Sequence, residues 1–280
     1  MGFSVSVASA ADVRLMAQWA ADEGWNPGDA DSDAFFVADP SGFLIGRLDG
    51  RPVSCISIVR YGQDAAFLGM YISHPEVRGL GYGLQTWQAG MAITDGRVVG
   101  LDGVPAQQAN YAKSGFRPAW TTQRFEGAPP DADPPPGVEL VDARSVPFDL
   151  LDAYDRRHFG APRAGFLASW ITLPRRSTAV ALRDGTIVGF GVLRPAQSTA
   201  RIGPLFAESR ETAEALVSRL ASSARALAVA VDVPGINPVA VEWARKCEWT
   251  PSFDTTRMYT GEAPGFDHDQ VFGITTLELG

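Results

Sequence analysis

The sequence predicts an α/β (α+β layered) fold built twice in tandem, and three observations predict it. Strand and helix patterns alternate within each half, as layered domains require. Residues 128–137 hold five prolines in ten positions, which removes backbone donors and stiffens the chain into a spacer. The stretches on either side of that spacer then echo one another. Residues 115–127 match residues 248–261: Pro118 answers Pro251, Trp120 answers Phe253, and Thr121-Thr122 answers Thr255-Thr256 after one inserted Asp254. A strand pair around Asp49-Gly50 (residues 42–59) is answered by another around Asp184-Gly185 (residues 179–193). Two matches in the same order make a repeat, dividing the chain into residues 1–127, a Pro-rich linker at 128–137 and residues 138–280, each half of ordinary domain size.

The first half reads element by element. Val13, Met16, Ala17 and Ala20 fall at helical spacing and predict a helix over 11–23. A polar, glycine-rich loop over 24–33 follows. The Asp-Gly hairpin comes next, since both central residues of a tight strand turn need positive φ. A strand at 66–72, a glycine-rich turn and a helix at about 84–93 continue the chain. A strand near 98–101, a short helix around 106–114 and a strand at 121–125 complete it.

Composition bounds the function. The 280 residues are 45% hydrophobic and 20% charged, enough to bury a sizeable core. The net charge of −8 is split evenly, −4 in residues 1–127 and −4 in the remainder, so neither half is a basic arm and no nucleic-acid partner is expected. An acidic surface suits a cationic substrate such as an amine. No apolar run reaches the roughly 18 residues of a membrane span, and the start lacks a basic leader, so no membrane association and a cytoplasmic location are expected. Cys55 and Cys247 are too few for a disulfide framework and read as free thiols. His268 between Asp267 and Asp269 lacks the ligand count for a metal site, and His158 is placed in a basic surface patch.

The central chemical feature is the run from Met70 through Gln85. A strand ends, Pro75 breaks it, and Gly79, Gly81 and Gly83 lead into a helix. Glycines let successive amides turn toward a ligand, and the helix adds free N–H groups and the positive end of its dipole. Together they form a nest for a phosphate or pyrophosphate. No Gly-Lys-Ser/Thr is present for a Walker loop. Gly79 and Gly81 fit the start of a dinucleotide fingerprint, but its third position is Leu84, and Asp102 is the candidate ribose ligand in that alternative.

The pattern Arg78-Gly79-Leu80-Gly81-Tyr82-Gly83 resembles the coenzyme A pyrophosphate loop of the GNAT superfamily of N-acyltransferases. The His74-Pro75-Glu76 lead-in, the later Tyr111–Phe116 segment and the element order also resemble that family, over residues 3–127. The second half keeps only Gly203 where the first has its loop, and Glu208 and Glu211 stand where pyrophosphate would lie. The chain thus resembles the tandem-domain members with a degenerate second domain.

The resemblance implies two domains, each a mixed, mostly antiparallel sheet flanked by helices. It implies an N-acetyltransferase moving an acetyl group from acetyl-CoA to a primary amine, on a small molecule or a peptide, by direct attack. It implies that Arg78, Gly79, Leu80, Gly81, Tyr82, Gly83 and Leu84 hold the pyrophosphate and that the backbone of Met70, Tyr71 and Ile72 binds the pantetheine arm and polarises the carbonyl. Tyr111 would protonate the departing sulfur. Glu23 and Trp25 would line the acceptor pocket, with Glu23 and Asp102 as candidate bases. A non-catalytic acyl-CoA sensor and a nicotinamide-dinucleotide oxidoreductase are the alternatives.

Overall fold

The computed structural model describes residues 2–280. Its strands are β1 (Phe3–Val7), β2 (Phe43–Leu48), β3 (Arg51–Tyr61), β4 (Ala65–Ser73), β5 (Val98–Gly103) and β6 (Arg117–Gly127) in the first half. The second half holds β7 (Val138–Val141), β8 (Ser177–Arg183), β9 (Thr186–Arg194), β10 (Ala200–Ala207), β11 (Val229–Pro234), β12 (Thr250–Tyr259) and β13 (Val271–Gly273). The helices are α1 (Ala10–Asp22), α2 (Asp31–Ala38), α3 (Tyr82–Ala92) and α4 (Gln108–Lys113), then α5 (Phe148–Phe159), α6 (Ala164–Thr172), α7 (Arg210–Ala224) and α8 (Pro238–Lys246).

Local chemistry explains the elements that the sequence announced. Ser9 caps α1 through a reciprocal box with Asp12, and Val13, Met16 and Ala20 form its buried stripe. Both hairpin turns place their Asp and Gly at positive φ, 52° and 82° at Asp49-Gly50 and 49° and 76° at Asp184-Gly185. The expected loop over 24–33 is shorter than read. α2 begins at Asp31, whose carboxylate accepts from Arg176 (2.7 Å) and Arg194 (3.0 Å) of the second half, partners that no local pattern reveals. The linker carries no regular structure.

The two halves join in one 13-stranded sheet, ordered β1-β2-β3-β4-β5-β12-β6-β11-β10-β9-β8-β7, with β13 also on β10. Every pairing is antiparallel except β4 with β5 and β10 with β11. The halves exchange their last strands. β12 lies between β5 and β6, and β6 pairs with β11. Thr122 faces Thr255 and Thr121 faces Thr256, so the repeated Thr-Thr pair meets its own copy, as a two-fold relation between the halves demands.

The exchange is locked by charge. Arg124 on β6 lies opposite Asp232 on β11 and donates to it at 2.8 Å; Arg257 on β12 lies opposite Asp102 on β5 and donates through two nitrogens, each at 2.8 Å. All four side chains are buried. Phe125 packs in the second half's own core and Met258 in the first's, while a third core joins both halves. His158, expected on the surface, is instead buried. Its ring contacts the Tyr154 carbonyl at 2.8 Å and the Gln270 side chain at 3.0 Å, because it falls on the buried stripe of α5 with Leu151, Tyr154 and Asp155, while Arg156 and Arg157 stay exposed.

Candidate active site

The site is built where two parallel strands part. β4 and β5 pair from Ala65–Val98 to Leu68–Leu101 and then diverge. Beyond that point β4 carries a bulge: Gly69 faces Ser57 and Ile72 faces Cys55, leaving Met70 and Tyr71 opposite the single residue Ile56. Met70 sits at φ 47°. The buried Cys55 thiol donates to its carbonyl at 3.1 Å, and burial pushes that thiol up, which suits a structural group rather than a nucleophile. From Gly69 to Ser73 the cleft side of β4 has no strand beside it.

The chain then crosses to α3 through residues 74–81, a 3-10 turn at Pro75–Val77 followed by the glycines. Gly79 and Gly81 stand at φ 80° and 86°, and Gly81 opens α3 with no side-chain cap. The first-turn N–H groups are therefore free for an anion. A Cβ on Gly83 would lie 2.5 Å from Ser73 Oγ, so this turn also needs glycine to bring α3 against the end of β4. Leu80 and Leu84 stay 63% and 59% exposed beside the loop. These backbone features fit a pyrophosphate bearing an apolar-edged ligand.

Loop, bulge and splayed strands surround one cavity of about 680 Å3, lined by Glu23, Trp25, Met70–Ser73, Arg78, Gly79, Gly81, Gly83, Leu84, Asp102 and Tyr111. The sequence-predicted residues thus converge, except Leu80 and Tyr82, which are not in the lining; Tyr82 instead packs its ring on Phe3 with centroids 4.9 Å apart. Tyr111 is 9% exposed, stacks on Trp87 at 5.5 Å and reaches the cavity. Burial, reinforced by Tyr71, pushes its phenol up to about 12, so it holds its proton at neutral pH. Arg78 donates to the Ser73 carbonyl at 3.0 Å and also to Glu23. Asp102 touches the cavity, but both its oxygens are engaged by Arg257.

Four lining residues come from the second half and were not found from sequence: Phe253 and Thr255 of β12, and Leu277 and Glu278 of the closing segment. They arrive from the other half, through the exchanged strand and a stretch after residue 266 that has no counterpart in the first repeat. That unmatched stretch, and the repeated Thr pair, were the signals available. Trp25 is fixed from both halves, its carbonyl accepting from Arg124 of β6 (2.9 Å) and Arg201 of β10 (3.2 Å).

The second half lacks these features. β10 runs into α7 through Glu208 and Ser209 alone, and Ser209 caps the helix by accepting from Thr212 N–H at 3.2 Å. Where β10 leaves β11 beyond Ile202–Val231, β13 fills the gap on β10.

Comparison with known proteins gives a consistent result. Residues 11–116 match the Acetyltransferase (GNAT) family and residues 151–273 an Acetyltransferase (GNAT) domain. The chain is 32% identical over 275 residues to the holothin acyltransferase of Pseudoalteromonas sp. (strain SANK 73390), covering 98% of this chain and 93% of that one. It is 25% identical over 194 residues to the uncharacterized N-acetyltransferase YitH of Bacillus subtilis (strain 168), 67% of each. Among solved structures, a putative acetyltransferase from Pyrococcus horikoshii superposes with a TM-score of 0.83 at 21% identity, covering 100% of this chain and 96% of that one. A tandem GNAT protein from the clavulanic acid biosynthesis pathway gives 0.62 at 17% identity, covering 94% and 100%.

Proposed function

The chain belongs to the GNAT acyltransferases, and from that premise we propose that it is an N-acetyltransferase moving an acetyl group from acetyl-CoA to a primary amine. The observation that carries this reading is the convergence of the glycine loop, the bulged edge of β4 and Tyr111 on one cavity. Residues 1–127 form the acetyl-CoA-binding half and residues 138–280 the degenerate half. Family membership sets aside the nicotinamide and non-catalytic alternatives.

Arg78, the glycine loop and the start of α3 would hold the pyrophosphate, and the unpaired edge Met70–Ile72 the pantetheine arm. Bound there, acetyl-CoA supplies an activated acyl thioester. The backbone N–H groups at the bulge offer preorganised donors for a developing oxyanion. Tyr111, kept protonated by burial, supplies a proton to the departing sulfur. Trp25 and Phe253 form apolar walls for the acceptor. The relative named holothin acyltransferase supports a small-molecule amine over a peptide. Among the described residues no helix is long and apolar enough to cross a membrane.

Calorimetric titration of acetyl-CoA into the wild type and a Gly81→Glu variant tests the reading. The wild type is expected to bind with a Kd on the order of micromolar, about −8 kcal/mol. The variant places a carboxylate in the nest and is expected to lose at least about 100-fold. Binding that persists in the variant moves the site elsewhere. Wild-type binding without turnover on any amine in a broad screen overturns the amine acceptor.

A further inference from the structure

Three carboxylates line the cavity: Glu23, Asp102 and Glu278. Two are engaged by arginines, Glu23 by Arg78 and Asp102 by Arg257. Glu278 differs. Its residue is 3% exposed, its backbone N–H donates to Thr276 Oγ1 at 3.2 Å, and among the described residues its carboxylate accepts no hydrogen bond. No histidine or lysine lines the cavity.

The position of Glu278 is fixed by backbone contacts. A Cβ on Gly69 would stand 2.1 Å from the Glu278 carbonyl oxygen, so the closing segment crosses β4 at the residue where β4 leaves β5. Tyr61 donates to the Leu279 carbonyl at 2.9 Å. Glu278 is thereby held one residue from the bulge at Met70, in the same cavity as Tyr111.

We propose that Glu278 is the general base of the acyl transfer, taking the proton that the acceptor amine sheds; this rests on the amine-acetyltransferase reading above. The step balances. The amine nitrogen bonds to the acyl carbon as the carbon–sulfur bond breaks, and one proton passes from nitrogen to Glu278. The sulfur leaves with the phenolic proton of Tyr111. Glu278 then returns its proton to water and Tyr111 recovers one from water, so the net products are an amide and a thiol.

The charges around Glu278 suit the task. Burial pushes its carboxyl above the usual carboxylate range, and Asp31 of α2 adds to the rise, while Arg201 of β10, Arg194 of β9 and Arg124 of β6 pull it back. Asp232 of β11 is already bound by Arg124 and Arg201, and Asp31 by Arg176 and Arg194. From the cavity side Glu278 shares its space with Asp102, Tyr71, Tyr111 and the Glu23–Arg78 pair. Burial outweighs the arginines in the net shift and makes the carboxylate a stronger proton acceptor than an exposed one, while the arginines favour its charged form.

The test compares wild type, Glu278→Gln, Glu278→Asp and Glu23→Gln. In Glu278→Gln, kcat is expected to fall about 100-fold or more with loss of the acidic limb of its pH profile, while the calorimetric affinity for acetyl-CoA holds; Glu278→Asp is expected to recover part of the rate. A retained acidic limb, an effect on KM alone, or loss of that limb in Glu23→Gln instead overturns the assignment. A second readout needs no turnover: carbon-13 NMR titration of glutamate carboxyls, identified by difference with Glu278→Gln. The Glu278 signal is expected to titrate above the ordinary glutamate value of about 4.3, and a midpoint at or below that value overturns the proposal. A wild type that acetylates no amine sinks the amine reading and the role of Glu278 with it, whereas an active wild type with an unimpaired Glu278→Gln sinks the assignment alone.

Discussion

The molecule contains the same cleft twice, and only one is open. In each half a parallel strand pair parts at a glycine, Gly69 on β4 after Leu68–Leu101 and Gly203 on β10 after Ile202–Val231. In the second half β13 enters the gap on β10, burying Phe272 against Trp243 with ring centroids 5.8 Å apart. In the first half no strand enters, and the closing segment only crosses the floor. The connection differs as well: residues 74–81 before α3, Glu208 and Ser209 before α7. A cleft and an uncapped helix are both needed for a ligand, and the second half has given up both. What it supplies instead is the far wall of the first half's cavity.

The largest expected effects come from breaking the two cross-half clamps. Asp232→Ala leaves buried Arg124 and Arg201 without their carboxylate, Asp102→Ala leaves Arg257 without its own, and each is expected to cost about 3–5 kcal/mol in chemical denaturation. A near-zero effect for Asp102 would mean that its carboxylate serves the cavity rather than the exchanged strand.

Next is the plug. Phe272→Ala is expected to destabilise by about 3 kcal/mol, without creating a second acetyl-CoA site, because α7 still begins at a Ser cap behind Glu208. Calorimetric stoichiometry above one site per chain would show that the plug alone had kept the second half silent.

Acid sharpens the comparison between the clamps. Burial raises Asp232, but Arg124 and Arg201 outweigh it and hold the carboxyl at about 2. At Asp102 burial outweighs the single Arg257, and the carboxyl stands above its ordinary value. A depressed carboxylate stabilises the fold above its unfolded pKa, and that contribution is lost as pH falls through the folded one. Asp232 should therefore account for about 2–3 kcal/mol of stability that disappears between about pH 4 and pH 2. Asp102, shifted the other way, should contribute no acid-labile stability. Denaturation of Asp232→Asn and Asp102→Asn across that range measures both; equal slopes would contradict the asymmetry.

Much of the first half was legible because its signals are local. Periodicity placed α1, the Asp-Gly turns fixed both hairpins, and the alternating glycines marked the loop, since each depends on residues a few positions apart. The exchange of β6 and β12 was not legible. Both strands carry the same repeated pattern, and either edge of β5 or β11 would accept either strand; the choice is made by Arg124 and Arg257 meeting aspartates 108 and 155 residues away. The same distance hid Thr255 and Glu278 from the site and made Asp102 look like a free acid. α2 was missed because Asp31 draws its partners from β9 and the turn after α6.

The smallest effects come from the two glycines that the closing segment crosses. A Cβ on Gly203 would stand 2.3 Å from the Thr275 carbonyl oxygen, and one on Gly69 2.1 Å from that of Glu278. Neither contact leaves room for a methyl group, so Gly69→Ala and Gly203→Ala each force the segment outward, at a cost of about 1–3 kcal/mol. Their effects on turnover should diverge. The segment at Gly203 lies over the plugged cleft, where displacement loosens packing around β13. At Gly69 displacement moves Glu278 itself, so kcat should fall while acetyl-CoA affinity is kept, because the glycine loop is untouched. If Gly203→Ala lowered kcat as much as Gly69→Ala, the segment would be acting as one rigid strap across both clefts. If neither did, the cavity floor would be tolerant of movement, and the role assigned to Glu278 would have to pass to a group carried by β4 or α1.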